Sequence, residues 1–209
     1  MSFEKYPLVL LFLVLIFAGW SGFSPQDTRF TWILEVFPVV IALPILLLTY
    51  KKFPLTYLCY TLIAIHAVIL MLGAHYSYAK VPLGFWMEDW FGWTRNNYDK
   101  IGHLMQGFGP AIYVRELLVR TSPLKSGKWL AFLSVAVSLG FSALYEIIEW
   151  AASLSNPTDT EAFLGTQGYI WDTQTDMFCC LIGSILALLL LSKLHNKGIS
   201  KVRKRKNYL

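Results

Sequence analysis

The sequence predicts an all-α, polytopic membrane helix bundle of about six transmembrane helices, and three observations carry that prediction. Of 209 residues, 56% are hydrophobic and only 15% charged, with a mean hydropathy of +0.50. A soluble domain carries about a quarter charged residues. The apolar residues also fall in blocks of roughly 20, the length that crosses a bilayer core, rather than at the spacing of an amphipathic helix. Finally, the Lys and Arg residues are distributed unequally between the two sets of connections that six spans create.

The first block, 7–23, follows Lys5. The segment Ala18-Gly19-Trp20-Ser21-Gly22 fits a signal-peptidase site poorly, so a retained span is expected. The second, 31–50, contains Pro38 and Pro44 and should be kinked; Glu35 lies near its start. The third, 55–74, has His66 near its middle and is followed by His75. A long connection then carries Phe-Trp-Met-Glu-Asp-Trp-Phe-Gly-Trp from Phe85 to Trp93. Such aromatic density suits a membrane interface, and a re-entrant or surface-lying segment is expected, with a lid as the functional alternative. The fourth and fifth spans are placed at 98–118 and 129–152, separated by a basic loop. A polar segment with a turn at Asn156-Pro157 leads to the sixth, 172–192, and residues 193–209 form a basic tail.

The Lys and Arg count orients this bundle. Fourteen of the 18 lie on the side of both termini and four (Arg29, Lys80, Arg95, Lys100) on the other. The positive-inside rule then predicts cytoplasmic termini. The run Lys201 to Lys206 reads as a topology signal beside anionic lipid, and no nucleic-acid partner is expected. Cys59, Cys179 and Cys180 match neither a redox nor a zinc spacing and read as small apolar packing residues.

That topology brings three polar stretches to one end of the bundle, facing the periplasm. Tyr98 to Pro110 places Asp99, His103 and Gln106 on one helical face, with Lys100 beside them and Gly102, Gly107 and Gly109 leaving room for a neighbouring backbone. Tyr145 to Trp150 pairs Glu146 with Glu149 at a spacing of three, and Trp171 to Asp176 pairs Asp172 with Asp176 at four. Gly183 continues the face of Asp172 and Asp176 by one heptad. His75 should arrive at the same level, while His66 reads as a packing residue. Ionisable groups inside a span are costly and so are candidates for function.

The candidate catalytic residues are Asp99, His103, Glu146 and Asp176, which are also the candidate metal ligands; Lys100, Gln106, Glu149 and Asp172 are candidate substrate contacts. Oxygen-rich ligands favour Mg²⁺, Mn²⁺ or Ca²⁺, and His103 supplies a further ligand or a general base. The partners expected are the lipid bilayer and a lipid or lipid-linked substrate; the sequence does not define an oligomeric state.

At these residues the chain resembles the YjdF family of small bacterial inner-membrane proteins along most of its length. More distantly it is similar to the VanZ-like membrane proteins, whose pattern is D-K-x-x-H, then Y-E-x-x-Q, then D-x-x-x-N-x-x-G. The counterparts are Asp99-Lys100…His103, Tyr145-Glu146…Glu149 and Asp172…Asp176. Glu149 stands for the glutamine and Asp176 for the asparagine, and Gly183 follows Asp176 by seven residues rather than three, so this version of the site is more acidic. The second resemblance implies chemistry on the cell envelope or its lipids.

Three readings of the site remain open at this level. One is a metal-dependent intramembrane enzyme. Another is a proton-coupled transporter, against which stands the lack of an evident repeat. The third is a non-catalytic binding or scaffold protein in which the acids and Lys100 form a structural network. No nucleophile elbow, P-loop or dinucleotide fingerprint is present.

Overall fold

Where polar side chains cap the spans, the helix boundaries become clear. In the computed structural model, which describes residues 5–155 and 170–206, α1 runs Lys5–Phe23 and α2 Arg29–Thr49. Thr28 caps α2 by accepting a hydrogen bond from the Thr31 amide, and Thr56 caps α3 (Tyr57–Tyr76) through the Cys59 amide. A 3₁₀ turn (Tyr78–Lys80) and the short helix α4 (Pro82–Phe91) follow, then α5 (Tyr98–Thr121), α6 (Lys128–Ser155) and α7 (Asp172–Lys206). The described residues contain no strand. The turn expected at Asn156-Pro157 lies outside them.

Five of these helices (α1, α2, α3, α6 and α7) are long and apolar enough to cross a membrane. α5 has the length, 24 residues, but its sequence carries too many polar groups to qualify on composition. Its position explains this. α5 sits at the centre, packed most extensively on α7 and then on α6 and α3. Its polar face is therefore covered by protein, and only a few of its residues, such as Leu104 and Leu117, are exposed. α1 and α2 pack on the far side of α3 and present Phe12, Ile16, Ile33, Val40 and Leu48 outward.

Small residues set the close approach of α5 and α7. A Cβ on Gly107 would collide with the Cys180 carbonyl, and one on Gly183 with the Leu104 carbonyl. The two backbones interlock through reciprocal glycines, the usual way helices meet closely in a membrane.

α7 is 35 residues long, or about 52 Å at 1.5 Å per residue, well beyond the roughly 30 Å of a bilayer core. The basic residues from Lys193 therefore continue the same helix. That extension is anchored: His195, Ile199 and Val202 are buried, and Arg203 donates to the Val119 carbonyl at 2.7 Å.

α4 spans ten residues, too short to cross, and ends at Gly92 in the left-handed region (φ +65°). It leaves Phe85, Trp86, Trp90 and Phe91 exposed, the arrangement expected of a helix lying along an interface.

Candidate functional site

The three polar stretches do converge. Asp99, His103 and Gln106 from α5, Glu146 and Glu149 from α6, and Asp172 and Asp176 from α7 all line one cavity of about 80 Å³. Lys100 stands beside it as an electrostatic hub. Its ammonium donates to Asp172 Oδ1 at 2.6 Å, Asp176 Oδ1 at 2.8 Å and Asp99 Oδ2 at 3.2 Å. Arg95 adds contacts of 2.9 Å to Asp99 and 3.3 Å to Asp172.

His103 faces the other side of the cavity. Its Nε2 is 3.5 Å from Glu146 Oε1 and 3.7 Å from Asp176 Oδ1. These three residues, one from each of α5, α6 and α7, offer ligand atoms that all lie within 4.8 Å of one another. Asp99, Asp172 and Asp176 form a second such trio, but Lys100 already pairs with all three of its members. The four candidate ligands thus divide into two groups that share Asp176, with Asp99 on the lysine side. Among the trio with His103, the buried atoms His103 Nδ1 and Glu146 Oε1 have no hydrogen-bond partner. Buried polar atoms are ordinarily paired, so these two mark the polar end of the cavity as chemically unsatisfied.

The cavity includes residues that spacing alone does not bring to the site. Glu35 and Pro38 of α2, His66 and Leu70 of α3, Tyr78 of the 3₁₀ turn and Tyr145 of α6 complete its wall. Glu35 is a lone carboxylate inside an apolar block, and that isolation is the one sequence signal that could have marked it. His66, expected to be a packing residue, borders the cavity instead.

Tyr78 arrives by an unusual turn. Ser77, 1% exposed, has φ +63° and ψ +131°, a strained conformation for a residue with a side chain. The turn inserts the Tyr78 ring against Gly73, where a Cβ would meet the ring at 2.5 Å. Burial, reinforced by Tyr145 and Glu35, pushes the Tyr78 hydroxyl well above its ordinary range. It is therefore a neutral donor at any physiological pH.

Two expectations take a different form. His75 stays out of the cavity: its ring lies 4.1 Å from that of Trp20, and its Nδ1 is 3.1 Å from the Ser21 carbonyl. None of Phe85 to Trp93 lines the cavity in this structure.

A second polar cluster lies at the opposite end of α5, and the sequence reading passes over it. Glu116, fully buried, accepts from the Thr56 hydroxyl (2.7 Å) and amide (3.0 Å), Arg120 (2.5 Å), Cys59 Sγ (3.0 Å) and His195 Nε2 (3.0 Å). Arg115 donates to His195 Nδ1 at 3.0 Å and to Asn196 at 2.6 Å. Cys59 is thus part of a hydrogen-bonded network and not only an apolar filler. The network ties α3, α5 and α7 together.

Together the fold and its polar interior define a multi-pass inner-membrane protein with a buried acidic cavity. The chain belongs to the family described as Predicted membrane protein (DUF2238), whose model matches residues 6–197. It is similar to Inner membrane protein YjdF of Escherichia coli (strain K12), with 47% identity over 201 residues, covering 93% of this chain and 94% of the relative. No solved structure matches.

Proposed function

We propose that the chain is a membrane-embedded enzyme that uses a divalent metal at His103, Glu146 and Asp176 to act on an envelope lipid or lipid-linked substrate. The observation that carries this reading is the trio itself. Three donor atoms from three helices lie within 4.8 Å of one another in a cavity, and in these residues His103 Nδ1 and Glu146 Oε1 are buried without a hydrogen bond. Two carboxylates and one imidazole suit Mn²⁺ or Mg²⁺ and leave coordination positions open for substrate. A metal there would polarise a phosphoryl or carbonyl oxygen. Lys100, fixed by three aspartates, would hold Asp176 in place, and Asp99, Asp172, Gln106 and Glu149 would contact substrate. The Lys and Arg distribution supports an outward-facing cavity, where outer-leaflet lipids are at hand.

A second reading, a structural polar network, draws on the three ion pairs of Lys100. Titration of the purified chain with Mn²⁺, followed by electron paramagnetic resonance, separates the two. The enzyme reading expects one tightly bound ion, lost in a variant carrying Glu146→Gln and Asp176→Asn. Failure of the folded wild-type chain to bind Mn²⁺ would sink the metal and leave the network.

A further inference from the structure

The metal trio leaves the far end of the cavity unexplained. Glu35 is 2% exposed and lines this cavity, and neither of its carboxylate oxygens makes a hydrogen bond, although the Tyr78 backbone lies beside it. Glu149 lines the same cavity, and Tyr78 and Tyr145, between them, feel both carboxylates.

The charge balance points the same way. Among the described residues six carboxylates (Glu35, Asp99, Glu146, Glu149, Asp172 and Asp176) border the cavity, and no Lys or Arg does. Lys100 and Arg95, next to it, pair with the three aspartates. One divalent ion at the trio would still leave Glu35 outside its ligand set. A carboxylate in a low-dielectric site needs a counter-charge or a proton, and two tyrosine rings are favourable walls for an organic cation.

Two helices with lipid-facing surfaces contribute to the cavity wall. One is α2, which contributes Glu35 and Pro38, and the other α6, which contributes Tyr145, Glu146 and Glu149. Among the described residues these two helices make no extended contact. Phe37 stacks on Tyr145 across the seam, with ring centroids 5.8 Å apart and planes within 9°. An aromatic pair between two lipid-facing helices can part without breaking a hydrogen bond.

We infer that the cavity takes a lipid head group bearing a primary ammonium, which enters between α2 and α6 and is held through its ammonium by Glu35 and Glu149. This deepens the proposed function by naming the substrate class, and it rests on the same cavity while using none of the metal ligands.

The test is lipid retention by the purified full-length chain in detergent, read by native mass spectrometry. Phosphatidylethanolamine and phosphatidylglycerol of identical acyl chains are offered in competition. The ethanolamine lipid should be retained about tenfold better, the worth of one buried charge-assisted contact. Glu35→Gln and Glu149→Gln, which keep side-chain volume, should each bring that ratio to within about twofold. Mn²⁺ binding, measured on the same samples, should persist in both and would also show that they are folded. Equal retention of the two lipids by the wild-type chain would overturn the inference, as would selectivity unchanged in both variants. Soluble phosphoethanolamine binding as tightly as the lipid would overturn the lipid source. Lipid selectivity without Mn²⁺ binding would support the ammonium site while removing the metal.

Discussion

Replacing Lys100 by methionine keeps the stem of the side chain and removes the charge that holds three aspartates together. The ammonium lies 2.6 to 3.2 Å from carboxylate oxygens of Asp172, Asp176 and Asp99. Arg95 reaches only two of these, Asp99 and Asp172. Asp176 would keep just the 3.7 Å approach of His103. An exposed ion pair is worth about 0–1 kcal/mol, while breaking a buried one costs about 3–5 kcal/mol. The Lys100 side chain is 17% exposed and those of Asp172 and Asp176 only 5% and 7%, so the cost lies nearer the buried limit. Allowing for this residual exposure and for Arg95, Lys100→Met should destabilise the fold by about 2–3 kcal/mol. The assay is unfolding of the full chain in mixed micelles by increasing sodium dodecyl sulfate, followed by far-ultraviolet circular dichroism. Lys100→Met combined with Asp176→Asn should recover more than half of the loss, because the amide removes the charge left unpaired. A loss below about 0.5 kcal/mol, the size of an ordinary surface change, would refute the hub role assigned to Lys100.

Two further outcomes are expected from the other packing features. Glu116→Gln places an amide donor against the Thr56 amide and Arg120, which are donors already, and should lower stability by about 3 kcal/mol in the same unfolding assay; wild-type stability would mean that the network does not hold the bundle. Gly183→Leu must push α7 away from the Leu104 carbonyl, costing about 1–3 kcal/mol, and should weaken Mn²⁺ binding by moving Asp176, two turns earlier on α7, away from His103. Unaltered stability and Mn²⁺ affinity in that variant would show that the reciprocal glycines are not a tight contact.

The convergence of Asp99, His103, Glu146 and Asp176 was legible because it follows from counting spans and from helical spacing, which need no tertiary detail. The close packing at Gly183 was legible for the same reason, since a glycine one heptad beyond Asp176 falls on the same face. What could not be read were contacts that depend on how distant helices lean together. Glu35 comes from α2, whose spacing to the other acids carries no information. Tyr78 depends on the positive φ of Ser77, which no local residue type announces. The Glu116 cluster joins α3, α5 and the extension of α7, an extension that looks in sequence like a basic tail. Its buried face, His195, Ile199 and Val202, shows a helical period of about 3.5, but the charges between these residues obscure it.

The two polar ends of α5 contrast in a way that bears on where function lies. At one end every part of Glu116 is accounted for: both oxygens accept several donors, and His195 is held through both ring nitrogens. A fully satisfied buried network specifies packing; Cys59, Glu116 and His195 also bring ligand atoms within 4.8 Å of one another, but these atoms are already joined by hydrogen bonds. At the other end His103 Nδ1, Glu146 Oε1 and both oxygens of Glu35 are buried around one cavity without a hydrogen bond, Glu146 Oε1 having the 3.5 Å approach of His103 Nε2 and Glu35 the neighbouring Tyr78 backbone. α5 takes part in full satisfaction at one end, so its lack at the other is not a general looseness of the bundle. Leaving several carboxylate and imidazole atoms unpaired costs about 1–3 kcal/mol each. Such a cost is sustained where an incoming group repays it, and the atoms that lack a hydrogen bond come from three helices, His103 on α5, Glu146 on α6 and Glu35 on α2, around one cavity.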